Sequence, residues 1–464
     1  MSAPARIGRR GPIPVIIAVS LALVTVVIDF YALTVALPSI ADDFHERPAS
    51  LHWIVTAYLL AFASLTIVGG RLGDAFGRRR ILILGVAIFC VASIGAGLAP
   101  TVEVIVLFRA LQGAGAALLF PVGLAALSQA FPAARRAWAV GLVMGVTSIG
   151  TALGPFVGGV LTQAAVWRLV FLVNVPICIA AVVMVRYAFE ESRVPGGTAR
   201  IDPLGCVTLT AALVALTVGV DRAHLYPPAA TVALFVGAVV LFGAFVLVER
   251  RSRAPLVDMD LVRTPGFGWI LTSGCLGNFG WALAVFGATL YMQRVEGYDA
   301  IEAGTAFLAM SAGAALGGPL AGRLVPRRGA GMVLVVSLGL GAAALLWLST
   351  GWPAWSFILA LFFTGLFTGT AYSATNIGTM GLAPTSETGE ASGITITALI
   401  TAAAIAVSIG GPIIASAPPG DTAGNIAATL NLGAAVTLAG AAIMLAAART
   451  GTRRTATTTR GEPA

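Results

Sequence analysis

The chain has 464 residues, of which 58% are hydrophobic and only 10% charged, with a mean hydropathy of +0.93. That balance excludes a soluble domain of ordinary composition and implies a polytopic membrane protein. The net charge of +8 is carried by arginine alone, in short connections between apolar runs; this is how membrane sidedness is written, so nucleic acid is excluded as a partner.

Runs long enough to cross about 30 Å of hydrocarbon as helices recur along the whole chain, and helices are required because lipid offers backbone groups no partner. The predicted spans are 13–37, 50–70, 81–99, 102–125, 137–161, 169–188, 204–220, 228–248, 267–291, 302–323, 331–350, 354–376, 391–416 and 424–447. The first reads as a retained helix, not a cleaved signal, because so many follow it.

In the first span stands Asp29, within Ile28-Asp29-Phe30-Tyr31. A carboxylate inside hydrocarbon is expensive unless it is neutral, paired or facing water, which makes it a functional candidate, with a structural ion pair as the alternative. The connection from the second span to the third, Gly70-Arg-Leu-Gly-Asp-Ala-Phe-Gly-Arg-Arg-Arg80, is the most polar turn of the first third. Four arginines in so short a loop predict a cytoplasmic location. Alternating the spans from there leaves only Arg47, Arg168, Arg222 and Arg294 on the outer loops and Arg109 inside a span. Every other arginine falls on the inner side, as an even number of spans with both termini cytoplasmic requires.

In the fourth span, Arg109, Gln112, Gly113 and Ala116 share one helical face, which predicts a polar and small stripe turned toward a cavity. Counting from the outer helix ends at 1.5 Å per residue places Asp29 about 13 Å and Arg109 about 10 Å deep, so the two charges sit at similar depth. The fifth span carries Gly150, Gly154, Pro155, Gly158 and Gly159, preceded by Gly141 and Gly145. Small residues four apart let helix backbones approach, and a proline bends its helix, so this segment reads as a hinge with the small faces of the tenth span (Gly313, Gly317, Gly318 and Gly322) as partner.

The turn pattern recurs in the tenth span as Gly322-Arg323-Leu324 with Gly329, at the same spacing, although Pro326 replaces Asp74. The chain therefore reads as a duplicated six-helix bundle. No charge occurs in the span interiors of the second half. Tyr31, Tyr58, Gln112, Asn278, Trp281, Tyr291, Tyr372 and Asn376 are candidate cavity walls, with packing as the alternative role. His45, His52 and His224 fall near outer loops without converging partners, and Cys90, Cys178, Cys206 and Cys275 read as small core residues; no metal or cofactor is expected. Nor is there a phosphate-binding Gly-x-x-x-x-Gly-Lys loop, which argues against ATP as energy source.

Several of these stretches resemble motifs of the major facilitator superfamily, specifically its fourteen-helix drug:proton antiporter branch. They are the Gly70–Arg80 turn, Asp29 with Ala36-Leu37-Pro38, Arg109-x-x-Gln112-Gly-x-Gly115, Gly150 to Gly159, and Trp167-Arg168 to Asn174-Val-Pro176. Tyr31 and Thr34 depart from the usual threonine and asparagine of the first-helix signature. The resemblance covers about residues 13–447. It implies an all-α fold of two six-helix bundles with two additional helices between them, 14 transmembrane helices in all. The expected division is a cytoplasmic tail 1–12, first bundle 13–188, linker 189–203, extra helices 204–248, linker 249–266, second bundle 267–447 and tail 448–464.

The resemblance further implies a cytoplasmic gate latch at Gly70, Leu72, Asp74, Gly77, Arg78 and Arg79, and proton coupling at Asp29 and Arg109. It implies an antiporter motif at Gly150–Gly159 and a bacterial plasma membrane location. The expected activity is proton-coupled export of small amphipathic compounds by alternating access, with protons, a small-molecule substrate and the bilayer as partners, and with no nucleic acid and no obligate protein partner. The rivals are a symporter, which the Gly154-Pro155 motif disfavours, and a non-transporting receptor or integral enzyme, disfavoured by the lack of a soluble domain and of a convergent nucleophile, metal set or acid pair.

Overall fold

The computed structural model describes residues 11–45, 51–163, 167–190, 202–221, 226–252, 259–298, 300–350, 353–384, 387–415 and 422–458. Arg6, Arg9, Arg10, Arg47, Arg222, Arg460, His224 and most of the 189–203 linker lie outside them. Among the described residues fourteen helices are long and apolar enough to cross a bilayer, and no strand occurs.

The first spans are α1 (Pro12–Phe44), α2 (His52–Phe76), α3 (Arg78–Gly97), α4 (Val102–Ala130) and α5 (Ala133–Gln163). The sixth is broken into α6 (Leu169–Leu172) and α7 (Asn174–Ala188). Pro176 explains the break, because it has no amide to offer the Leu172 carbonyl. Then come α8 (Pro203–Asp221) and α9 (Pro228–Arg251), a short helix α10 (Met259–Arg263), and α11 (Pro265–Leu290), which widens into a π-turn over Tyr291–Val295. The chain ends with α12 (Ala300–Arg328), α13 (Ala330–Leu348), α14 (Ala354–Leu382), α15 (Thr388–Ala415) and α16 (Thr422–Thr458).

Several helices run beyond the apolar runs that predict them. α1 continues past Pro38 to Phe44 and α4 past residue 125 to Ala130. A helix needs apolar side chains only at lipid depth, so its polar last turns escape a hydropathy count.

The repeat read from the sequence has a conformational counterpart. Gly77, between α2 and α3, has φ +102° and ψ +129°; Gly329, between α12 and α13, has φ +77° and ψ +149°. Only glycine adopts this region without strain, so each half turns sharply on a residue that cannot carry a Cβ. Gly77→Ala is expected to cost about 1–3 kcal/mol, read as a lower melting temperature of the purified protein. Gly339→Ala, on α13 with open space around its missing Cβ, serves as the matched control.

Within the first part of the chain α1 packs on α5 and α7, and α4 on α2 and α3. In the last part α11 packs on α16, α13 on α14 and α16, and α12 on α14. The two parts meet along two seams, α5 against α12 and α2 against α15. On the first seam the small faces interlock: a methyl at Gly145 would strike the Ala315 carbonyl and Pro319, and one at Gly322 would strike Ala137 and Trp138. Gly313 and Gly317 instead press on α14. The additional pair α8 and α9 pack on each other, with α8 also resting beside the α2/α15 seam. α9 exposes Val232, Val236, Val239, Val240 and Phe242, a face suited to lipid.

Candidate functional site

Asp29 and Arg109 are in direct contact, both wholly buried. The guanidinium donates through Nη1 to Asp29 Oδ2 and, at 2.9 Å, to Gln112 Oε1; through Nε it donates to the Ile54 carbonyl at 3.0 Å. Its flat face lies 4.1 Å from the centre of the Tyr58 ring. The carboxylate's other oxygen, Oδ1, accepts from Gln112 Nε2 at 3.0 Å and from Asn174 Nδ2 at 2.7 Å, and Gln112 Nε2 is also 2.8 Å from Ser93 Oγ. Five helices, α1 to α4 and α7, thus converge on one carboxylate. A charge pair removed from water survives only when its remaining lone pairs and protons are also satisfied, and this cluster does that for the carboxylate with three donors.

The pairing agrees with the similar depths counted along the helices, but the expected cavity location is corrected. Gly113 on the Arg109 stripe faces the α2 backbone at Tyr58 and Phe62, so the stripe packs on α2. Tyr58 and Gln112 likewise belong to the buried cluster and not to a cavity wall. Asn376 is also buried away from the cavity; its Nδ2 donates to the Tyr372 carbonyl one turn back.

The cavity lies on the other face of α1. It has a volume of ≈ 150 Å³ and is lined by Val27 and Tyr31 of α1, Phe120, Met144, Thr147, Ser148 and Thr151 of the first part, and Asn278, Trp281, Ala314, Thr368, Gly369 and Tyr372 of the second. Tyr31, Asn278, Trp281 and Tyr372 therefore stand at the wall, and no charged side chain does. Val27 and Tyr31 are one turn apart while Asp29 points the opposite way, so α1 is the partition between the charge cluster and the cavity. The Trp281 indole hydrogen-bonds the Tyr31 hydroxyl across the cavity, tying α11 to α1.

The α5 hydroxyls at Thr147, Ser148 and Thr151 were legible only as an i, i+4 stripe beside the glycine face, and glycine is the stronger signal. Thr147 and Ser148 donate to the carbonyls of Val143 and Met144 at 2.8 and 2.9 Å, and Thr368 donates to Thr364 at 2.5 Å. Asn278 Nδ2 is engaged by the Leu399 carbonyl at 2.7 Å. The cavity consequently presents mainly oxygen acceptors.

The glycines of the fifth span complete this partition. A methyl at Gly150 would meet Val27 at 3.2 Å, one at Gly154 the Ala32 amide at 3.1 Å, and one at Gly158 the Ala32 Cα at 2.9 Å. Gly159 is buried in the same helix, and of Pro155 the structure describes the backbone alone. The partner of this motif is therefore α1, not the tenth span, which takes up Gly141 and Gly145 further down α5.

At the Gly77 end, Asp74 accepts from Arg78 Nη2 at 2.6 Å and Nε at 3.1 Å, and Arg78 also reaches the Ala125 carbonyl at 3.0 Å and Thr388 Oγ1 at 3.2 Å. Arg71 pairs with Glu390 at 3.1 Å. Gly389 leaves no room for a Cβ against the Asp74 carboxylate, so that group sits on the first turn of α15, where helix amides favour an anion. Leu72 packs into the first core and Gly70 abuts the Gly389 backbone. Arg79 differs from the expectation of a latch: it donates to the Arg186 carbonyl at 3.2 Å, inside the first part. At the opposite end Arg168 holds Asp43 at 2.9 Å, keeping that carboxyl below its ordinary range, and Trp167 donates to the same oxygen. Among the described residues no group of histidine, cysteine and acidic side chains could hold a metal.

Comparison with known proteins fits this architecture. The tetracenomycin C resistance and export protein of Streptomyces glaucescens is 35% identical over 346 residues, 74% of this chain and 64% of that protein. The cephamycin export protein CmcT of Amycolatopsis lactamdurans is 40% identical over 61% of this chain and 59% of its own. The methylenomycin A resistance protein of Bacillus subtilis is 32% identical over 84% of this chain and 87% of its own. The chain thus spans less than two thirds of the length of the first two. The crystal structure of the human organic anion transporter MFSD10 superposes with a TM-score of 0.72 at 12% identity, covering 94% of this chain and all of that one, and the proton:xylose symporter XylE with 0.65 at 16%, covering 93% and 95%. These two share the fold. With fourteen apolar helices and bacterial export relatives, the chain is a multi-pass protein of the bacterial plasma membrane and not an enzyme. The profile of the Major Facilitator Superfamily matches residues 19–407, and the chain belongs to that superfamily.

Proposed function

We propose that this protein is a proton-coupled antiporter that exports small, neutral, aromatic compounds by alternating access. The observation that carries the reading is a titratable carboxylate, Asp29, enclosed with Arg109 directly behind the wall of an uncharged cavity at the meeting of the two parts. In this reading the first bundle spans 13–188, the extra helices 204–248 and the second bundle 267–447, with the Gly77 end and both termini cytoplasmic. The Arg71–Glu390 pair, the Arg78–Thr388 hydrogen bond and the seating of Asp74 on the first turn of α15 then close the cytoplasmic side by clamping α2 and α3 to α15, and the Gly150–Gly158 face against α1 serves as the hinge.

The proton and the cargo do not share a site. Protonation neutralises Asp29 and weakens its hold on α4, which frees α1, and α1 carries Tyr31 and Val27 in the cargo wall. A cavity of ≈ 150 Å³ is below the roughly 300–1,000 Å³ of ordinary ligand sites, so the two bundles must part to admit cargo. Its aromatic and acceptor-rich lining suits a flat molecule with hydroxyl or amide donors, in keeping with the antibiotic export and resistance named for the relatives. One proton entering supplies about 2.3 kcal/mol per 100 mV, enough for roughly fiftyfold accumulation of a neutral cargo; with a monocation the electrical part cancels.

Inverted membrane vesicles test this. Tetracenomycin C added to energised vesicles should accumulate and should release protons from the lumen, with both signals abolished by a protonophore. Accumulation that survives the protonophore, or that occurs only in right-side-out vesicles, would refute export by antiport.

A further inference from the structure

The buried cluster contains two amide side chains, and they differ in one respect. Gln112 is fully engaged: Oε1 accepts from Arg109, while Nε2 is within reach of both Asp29 and Ser93. Asn174, the first residue of α7 after the break at Val173, donates from Nδ2 to Asp29 at 2.7 Å, yet its own Oδ1 is buried with no partner. A buried amide oxygen without a donor is costly unless something else requires it.

We propose that Asn174 is a positioning residue that turns over to hold Asp29 in both of its charge states; this rests on the proton-coupling reading above. With Asp29 ionised, Nδ2 donates to the carboxylate. When a proton arrives on Asp29 Oδ1, that oxygen becomes a donor and can no longer accept along the same line. Rotation of the Asn174 amide by half a turn brings Oδ1 to it as acceptor. Each state leaves one amide atom of Asn174 unpaired, so the two are closely balanced. Gln112 cannot do this without giving up its bonds to Arg109 and Ser93. The consequence is mechanical: α7 stays tied to α1 whether or not the proton is bound, while the charge-dependent bond to Arg109 on α4 is the one that loosens.

The other titratable groups around Asp29 are Arg109 on α4, the Tyr58 phenol on α2, and the Cys178 thiol on α7 with Cys90 on α3 beside it. α5 meets α1 through glycines, and α6 contributes Leu169 to Leu172, none of them titratable.

The test is the pH dependence of tetracenomycin-induced proton release in inverted vesicles. Asn174→Leu removes both donor and acceptor, and because a bond to the charged form is the stronger of the two, the midpoint should rise by about one pH unit. Asn174→Thr, whose hydroxyl both donates and accepts, should restore the midpoint to near wild type. An unmoved midpoint in Asn174→Leu, or an equal shift in both variants, overturns the proposal. Should Asn174→Leu fail to fold, infrared difference spectra of the wild-type protein across the transition decide: an amide carbonyl band that changes with the protonated-carboxyl band supports the turnover, and a stationary one refutes it. Asp29→Asn is the control for the parent reading. Proton release persisting there sinks Asp29 as the coupling site and the role of Asn174 with it, whereas release lost there with an unmoved Asn174→Leu midpoint sinks only the role of Asn174.

Discussion

Asp29→Asn is expected to abolish accumulation, reducing the roughly fiftyfold gradient that one proton per cargo can sustain to equilibration, and to be the most destabilising conservative change in the site. The amide cannot exchange a proton, so nothing couples α1 to the gradient. The stability effect has a separate cause. Removing one partner of a buried pair costs about 3–5 kcal/mol because the other charge is left uncompensated, and here the survivor is an arginine, which cannot shed its charge. Its contacts with Ile54, Gln112 and the Tyr58 ring place the loss at the lower end of that range. Adding Arg109→Gln to Asp29→Asn should recover much of the melting temperature without recovering accumulation. A double variant that regains both would contradict the assignment.

The reverse substitution should behave differently. Arg109→Leu leaves a carboxyl that can neutralise itself by binding a proton, the usual escape of an acid stranded in a low dielectric. The protein should therefore be more stable than Asp29→Asn, while transport is uncoupled because the carboxyl has lost the counter-charge against which it exchanges its proton. Cargo should still equilibrate across vesicle membranes, and a protonophore should make no difference. Measuring melting temperatures and counterflow for the two single variants side by side checks both halves of the argument. If Arg109→Leu proves the less stable, or still concentrates cargo, the arginine is not acting as the counter-charge.

Much of the architecture is written in local chemistry. Hydropathy finds all fourteen spans, though not their polar last turns, because lipid tolerates only long apolar helices with internally satisfied backbones. The two arginine turns at Gly77 and Gly329 announce the repeat, because glycine is required where the chain reverses. Where the reading stopped short, the cause lay in neighbours. The spacing of Arg109, Gln112 and Gly113 fixes a common face but not what covers it, and α2 covers it. The glycine face of α5 met α1 at Gly154 and α12 at Gly145, a division that one helix cannot reveal.

Asp29, Arg109 and the polar turn at Asp74 were determined by sequence alone as the charges to be explained, since an ionised group in hydrocarbon must have a partner. The tertiary structure alone decided that Asp29 stands behind the cavity and not within it, that Asn174 and Ser93 belong to its cluster, and that Thr147 and Ser148 line the wall. The reason is geometric. A helical repeat sets the angle between two residues on the same helix, whereas the direction either one faces depends on how five helices are rotated against each other, and that is settled by packing.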